Sequence, residues 1–152
     1  MANQEMASAL QQVFCQVLEE QMFLFADSVE LEDINFTEAP MVELLIRYSG
    51  DAEGGMVLVL PLSLCREITA SVLGIEECEI AEGMDVIDSA KELINMTCGQ
   101  FLTTYYGDKP VMNLDVPHAR QFTDAEFAEM RASFSGMSFL VDEHPVLLSL
   151  ID

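Results

Sequence analysis

Basic residues are scarce in this chain. Six lysines and arginines stand against 27 aspartates and glutamates, for a formal net charge of −21 over 152 residues. Binding a phosphate backbone needs clustered Lys or Arg, so nucleic acid is disfavoured as a partner. An anionic membrane surface is disfavoured for the same reason. The acidity itself reads first as a solubility device. No apolar run approaches the ~20 residues of a membrane span. The opening "MANQEMASALQQ" lacks the basic and apolar parts of a signal peptide. A cytoplasmic protein without membrane insertion is expected.

Other absences remove whole chemistries. Cys15, Cys65, Cys78 and Cys98 are scattered, with no C-x-x-C pair. Cys15, Cys65 and Cys98 fall in apolar helical stretches, where a free thiol packs as a small hydrophobe. His118 and His144 each adjoin a proline and read as loop residues. A zinc site wants closer pairs than these, and no metal site is expected. No serine–histidine or cysteine–histidine signature supplies a covalent nucleophile. No glycine-rich loop cradles a phosphate.

What is present describes a folded α+β chain. Apolar residues make up 51% of the sequence, enough for the core of one domain over 1–152. Met6, Leu10, Val13, Phe14, Val17, Leu18 and Phe25 recur at helical spacing, which predicts a helix over 3–25. Alternation after Pro40 and the turn signal "DAEGG" predict a hairpin over about 41–60. A second helix over 62–73 closes at Gly74, and a third over 84–106 ends at Gly107. "KPVMNLDVP" reads as a short strand, and "FTDAEFAEMRASF" as a helix capped by Thr123 or Asp124. "SGMSFLVDEHPVLLSLI" reads as two strands around a turn at Asp142 to Pro145. Helices alternating with hairpins favour an antiparallel sheet packed against two or three long helices.

The third helix carries an unusual stripe. A helix turns ~100° per residue, so Asp88, Asn95, Gly99 and Thr103 all fall within about 60° of Glu92. Met96 lies on the other flank. A merely solvated face tends to pair Lys with Glu at i,i+4, whereas Asp88 and Glu92 are like charges at that spacing. Gly99 inside a helix costs ~1 kcal/mol against alanine. These penalties suggest a docking face: glycine removes bulk where another surface approaches, Glu92 can pair with a cation, and Asn95 can orient a water. Asp88, Met96, Gly99 and Thr103 are the candidate partner-binding residues around Glu92 and Asn95. The competing reading is a solvent-facing stripe with Gly99 packed against a neighbouring loop.

Asp88-x3-Glu92-x2-Asn95-x21-Pro117 resembles the signature of the CheC/CheX/FliY phosphatases of bacterial chemotaxis, and "ELINMTCG" is similar to that family's E-x-x-N-[apolar]-x-x-G run. A second copy is missing: neither Glu19 nor Glu20 has an Asn three residues on, and Glu67 is followed at that distance by Ala70. The chain therefore resembles the CheX type rather than the two-copy CheC type. One departure is "HARQFT" after Pro117, which lacks the early glycine that family members often carry. The resemblance implies a CheC/CheX-like fold and hydrolysis of the aspartyl phosphate of a CheY-type response regulator. It implies that Asn95 orients the attacking water and that Glu92 pairs with the regulator's lysine. It further implies no cofactor of the chain's own, Mg²⁺ carried by the regulator, and a homodimer joined through the sheets. The apolar strands of "SFLVDEHPVLLSLI", which need cover on both faces or at an open edge, point the same way. Two alternatives stand beside this: a non-catalytic module docking a regulator or flagellar switch protein, and an unrelated acid–base enzyme using Asp88 and Glu92.

Overall fold

The computed structural model of the protein describes residues 4–151. Helix α1 (Gln4–Val17) buries Leu10, Val13, Phe14 and Val17 along one stripe. Its continuation widens to a π-helical turn over Leu18–Met22, where Phe23 adopts a left-handed conformation (φ 58°) and donates its N–H to the Leu18 carbonyl. The helix therefore ends at Met22 rather than at 25, and Phe25 leaves the apolar face to stand 66% exposed. The expected start at residue 3 lies outside the described residues.

Most of the remaining elements follow the pattern, although the short strands at 26–28 and 118–121 are not in it. Strand β1 (Ala26–Ser28) precedes the hairpin β2 (Met41–Gly50) and β3 (Gly54–Pro61). Helix α2 (Leu62–Leu73) closes at Gly74, whose left-handed backbone (φ 69°) turns its N–H onto the Ala70 and Ser71 carbonyls. Helix α3 (Ile87–Tyr106) starts three residues later than the pattern suggests. Asp85 Oδ1 accepts the Ile87 N–H at 3.0 Å and marks its entry. Short strands β4 (Met112–Leu114) and β5 (His118–Gln121) come next. Helix α4 (Asp124–Ala132) is capped by Thr123, with Glu126 closing a reciprocal capping box. Strands β6 (Met137–Val141) and β7 (His144–Ile151) complete the chain.

Two readings of the histidines and the last turn need correction. The β6–β7 turn is the dipeptide Asp142–Glu143, both residues at positive φ, so His144 pairs with Val141 and Pro145 with Leu140 inside the ladder. Such a two-residue turn matches the twist of the strands it joins. His118 likewise opens β5, opposite Leu45. Both histidines are strand residues, because pairing across the sheet overrides the breaking effect of a neighbouring proline.

All strand pairs are antiparallel, in the order β1-β6-β7-β3-β2, with β4 and β5 both along the outer side of β2. Helices α1, α2 and α3 cover one face, packing onto Val42, Leu44, Ile46, Met56, Leu58 and Leu148. On the other face Phe127 and Met130 of α4 cover Met41, Val59 and Leu147. The closing hairpin is internal to this arrangement. Phe139, Val141, Val146, Leu147 and Leu148 are fully buried within the chain, and β1 flanks β6. Its apolarity is thus satisfied without a second copy.

The edge opposite α3 is broken in a specific way. Tyr48 pairs with Leu114 and Leu45 with His118. Between those pairs β2 supplies Ile46 and Arg47, while the edge supplies Asp115, Val116 and Pro117. The extra residue makes a bulge, held by the Asp115 N–H on the Arg47 carbonyl at 2.9 Å. Pro117 has no N–H to give the ladder, so it suits this position.

Candidate functional site

Helix α3 is held by α1 and α2 beside it and by β2 and β3 beneath it. Its buried side carries Ala90, Leu93, Ile94, Thr97, Cys98 and Phe101. A small hydroxyl network fixes its first turn to α2. Ser89 Oγ bonds the Val86 carbonyl at 2.9 Å and lies 2.8 Å from Thr69 Oγ1, which donates to the Cys65 carbonyl at 2.8 Å. With one face so constrained, the rotation of α3 is set, and the stripe faces the bulged edge.

Asp88, Lys91, Glu92 and Asn95 form one wall of an open cleft, and residues 114–117 of the bulge form the other. All four positions of the sequence signature, Asp88, Glu92, Asn95 and Pro117, meet in this cleft although Pro117 is far along the chain. Asp88 and Glu92 are exposed and Asn95 is half-buried. Asp88 lies in the first turn of α3, where a carboxylate is favoured by the helix dipole. That offsets its repulsion with Glu92. Among the described residues, Lys91, Glu92 and Asn95 make no side-chain hydrogen bond or ion pair. Their polar groups are solvated and free to be exchanged for those of a partner.

The rest of the stripe separates. A Cβ added at Gly99 would meet Leu114 Cδ1 at 3.8 Å, an ordinary contact. Packing against the neighbouring loop therefore does not require a glycine here. Met96 is half-buried against the core, so only part of it faces outward. Thr103 is exposed but lies beyond the cleft lining. Three contributors were not singled out by sequence. Leu114 (40% exposed) and Val116 (74% exposed) form an apolar rim. Lys91, which helical projection sets to the side of the stripe, lines the cleft beside Asn95. The signal available for the rim was Pro117 itself, a ladder-breaking residue in an edge strand.

The site is not a desolvated pocket. Its three acidic side chains, Asp88, Glu92 and Asp115, open to solvent, which disfavours the acid–base alternative, since that chemistry relies on burial to set protonation states. A second polar cluster lies elsewhere. Glu38 accepts from Ser63 Oγ and contacts His144 Nδ1 at 2.8 Å, while His144 Nε2 is 3.4 Å from Glu67 Oε2. Burial, and then the neighbouring Asp142 carboxylate, push Glu67 up to about 7, with His144 opposing. Among the described residues, no helix is long and apolar enough to cross a membrane.

Comparison with known proteins agrees with this fold. The profile of the chemotaxis phosphatase CheX family matches residues 42–137, which includes the whole signature. No curated protein matches the sequence. Among solved structures, the chain is similar to the chemotaxis protein CheX of Vibrio vulnificus, with TM-score 0.70, 17% identity, and 99% of this chain and 98% of that one covered. It is similar to CheX from Borrelia burgdorferi in a CheX–CheY–BeF3–Mg²⁺ complex, with TM-score 0.66, 14% identity and 95% of each chain covered. It is also similar to FliY of Thermotoga maritima, with TM-score 0.58, 13% identity, and 100% and 92% covered. At these identities the likeness is one of fold.

Proposed function

The chain belongs to the CheX family of chemotaxis phosphatases, and on that premise we propose that it hydrolyses the aspartyl phosphate of a CheY-type response regulator. The observation that carries this reading is the cleft, in which Glu92 and Asn95 stand unengaged beside Pro117 at the signature spacing. The regulator brings the phosphoryl group and its Mg²⁺. Asn95 enters over the phosphorus and orients a water in line with the acyl–phosphate bond. The water oxygen bonds to phosphorus as the bond to the aspartyl oxygen breaks, leaving a free carboxylate and inorganic phosphate. Phosphoryl transfer of this kind needs positioning and charge stabilisation more than covalent help. An amide suits the task because it donates and accepts without bringing negative charge to a phosphate. Glu92 pairs with the regulator's lysine and fixes the pose. The Borrelia complex gives a CheX-type protein a CheY partner, which supports the choice of partner class. By family likeness we also infer a cytoplasmic homodimer.

The test is hydrolysis of a panel of phosphorylated receiver domains. Asn95→Ala should abolish acceleration while binding persists, since its side chain makes no bond that holds the fold. Glu92→Gln should weaken binding by ~1–3 kcal/mol. A folded Asn95→Ala protein with normal activity would remove Asn95 from the chemistry. Binding without hydrolysis by the unaltered chain would turn the protein into a docking module.

A further inference from the structure

Lys91 is one of only six cationic side chains in the whole sequence. Elsewhere some of these are engaged: Arg120 pairs with Glu43 at 3.0 Å and Glu126 at 3.3 Å, and Arg131 stacks over the Phe36 ring. Lys91 is half-buried in the cleft wall and has no ion pair among the described residues, even though Asp88 stands three positions before it on the same helix. What sets Lys91 apart is its place in the cleft wall rather than its lack of an ion pair.

Its placement gives it a use. Lys91 lies one turn before Asn95 and about 40° round the helix from it, on the side away from Glu92. Reading across the cleft, the order is carboxylate, amide, ammonium. That is a short charge gradient with Asn95 at its middle. A partner complementary to it presents a cation against Glu92 and an anion against Lys91, with the reacting group over the amide. Leu114 and Val116 on the opposite wall offer only apolar contact, and Asp115 repels an anion, so Lys91 supplies the positive charge among the residues lining the cleft.

We infer that Lys91 is a second docking charge of this site, holding the anionic side of the phosphorylated partner: the phosphoryl oxygens or the carboxylates around the phosphoaspartate. This rests on the regulator-phosphatase reading and deepens it. It also meets an electrostatic difficulty of that reading. A strongly acidic protein must approach an acidic phosphorylation pocket, and Lys91 offsets part of the cleft's negative field where the two surfaces meet. A flexible four-carbon stem lets the ammonium follow the anion without fixing its orientation, which leaves alignment to Asn95.

The experiment measures binding and turnover separately. Mg²⁺- and beryllofluoride-loaded CheY-type receiver domains are titrated with the full chain, and hydrolysis of the phosphorylated domains is followed in parallel. Lys91→Ala should raise Kd and KM about tenfold with kcat little changed, and should flatten the salt dependence of kcat/KM. Lys91→Arg should restore most of the affinity, because it keeps the charge. Lys109→Ala removes the same unit charge at an exposed position outside the cleft and should leave Kd unaltered. Unchanged Kd in Lys91→Ala would overturn the proposal, as would an equal loss in Lys109→Ala, which would assign the effect to net charge alone. If the unaltered chain binds but does not hydrolyse, the phosphatase reading fails while the Lys91 titration still decides this one. If it binds no receiver domain at all, both fall.

Discussion

An alanine at Gly99 would put its methyl in ordinary contact with Leu114, so the two explanations for this glycine separate at the level of one carbon atom. In the isolated protein Gly99→Ala should raise stability by about 1 kcal/mol, because it removes the helix penalty without a clash. A shift of the urea midpoint at constant slope measures that. If a partner surface crosses α3 at this point, the same methyl should weaken binding to a beryllofluoride-loaded receiver domain by about tenfold, since close-packed interfaces tolerate little added bulk. Stabilisation with unchanged binding would place Gly99 outside the interface. Glu92 and Asn95 were legible from sequence because their spacing put unlike polar groups on one helical stripe. Lys91 was not. Helical projection sets it off-centre, and its importance follows from the bulge that builds the facing wall.

At the scale of elements, local rules were enough where they met no competition. The β2–β3 hairpin, the span and glycine stop of α2, and the Thr123 cap of α4 all follow from turn and cap residues. They failed where pairing across the sheet decided the outcome. The two short strands β1 and β5 have little periodicity of their own and exist because β6 and β2 offer unpaired edges. The same pairing places Glu38, Glu67, Asp142 and His144 together, from a loop, a helix, a turn and a strand. This cluster has a pH signature. Glu67 is raised from 4.5 to about 7 by burial and by Asp142, with Glu77 adding and His144 opposing. Between about 4.5 and 7 the folded protein keeps a proton that the unfolded chain has released. Its stabilising contribution is therefore fully present below the unfolded value and is lost as pH rises through 7. Glu67→Gln keeps a neutral group in place and should flatten that part of the stability profile, leaving the variant more stable than the unaltered protein at pH 8. Urea titrations at pH 5 and pH 8 check it; an unchanged difference between the two would mean that Glu67 holds no such proton.

At the scale of the whole molecule, charge and apolar surface oppose each other. The hairpin that first suggested a partner copy is buried within the chain, so a homodimer must use a different surface. One free end of the sheet, away from the cleft, is β1, three residues long, and beside it Phe23 and Phe25 stand 73% and 66% exposed. A short edge is a weak template for pairing on its own. Two adjacent exposed phenylalanines supply the apolar area that such an edge lacks, and a two-fold axis there would extend the sheet and cover all four rings. Each copy carries −21, so their mutual repulsion is largest at low ionic strength. The predicted consequence is a dimer that strengthens as salt rises, the reverse of an interface built on ion pairs. Light scattering at micromolar concentration should move towards twice 16.9 kDa as NaCl increases from about 0.05 to 0.5 M, where the screening length falls severalfold. Phe23→Ser with Phe25→Ser should hold the protein at the monomer mass throughout. A monomer at every salt concentration would defeat the dimer. Hydrolysis by the double variant should persist in either state, because Glu92, Asn95 and the bulge opposite them belong to one helix and one sheet edge of the same chain.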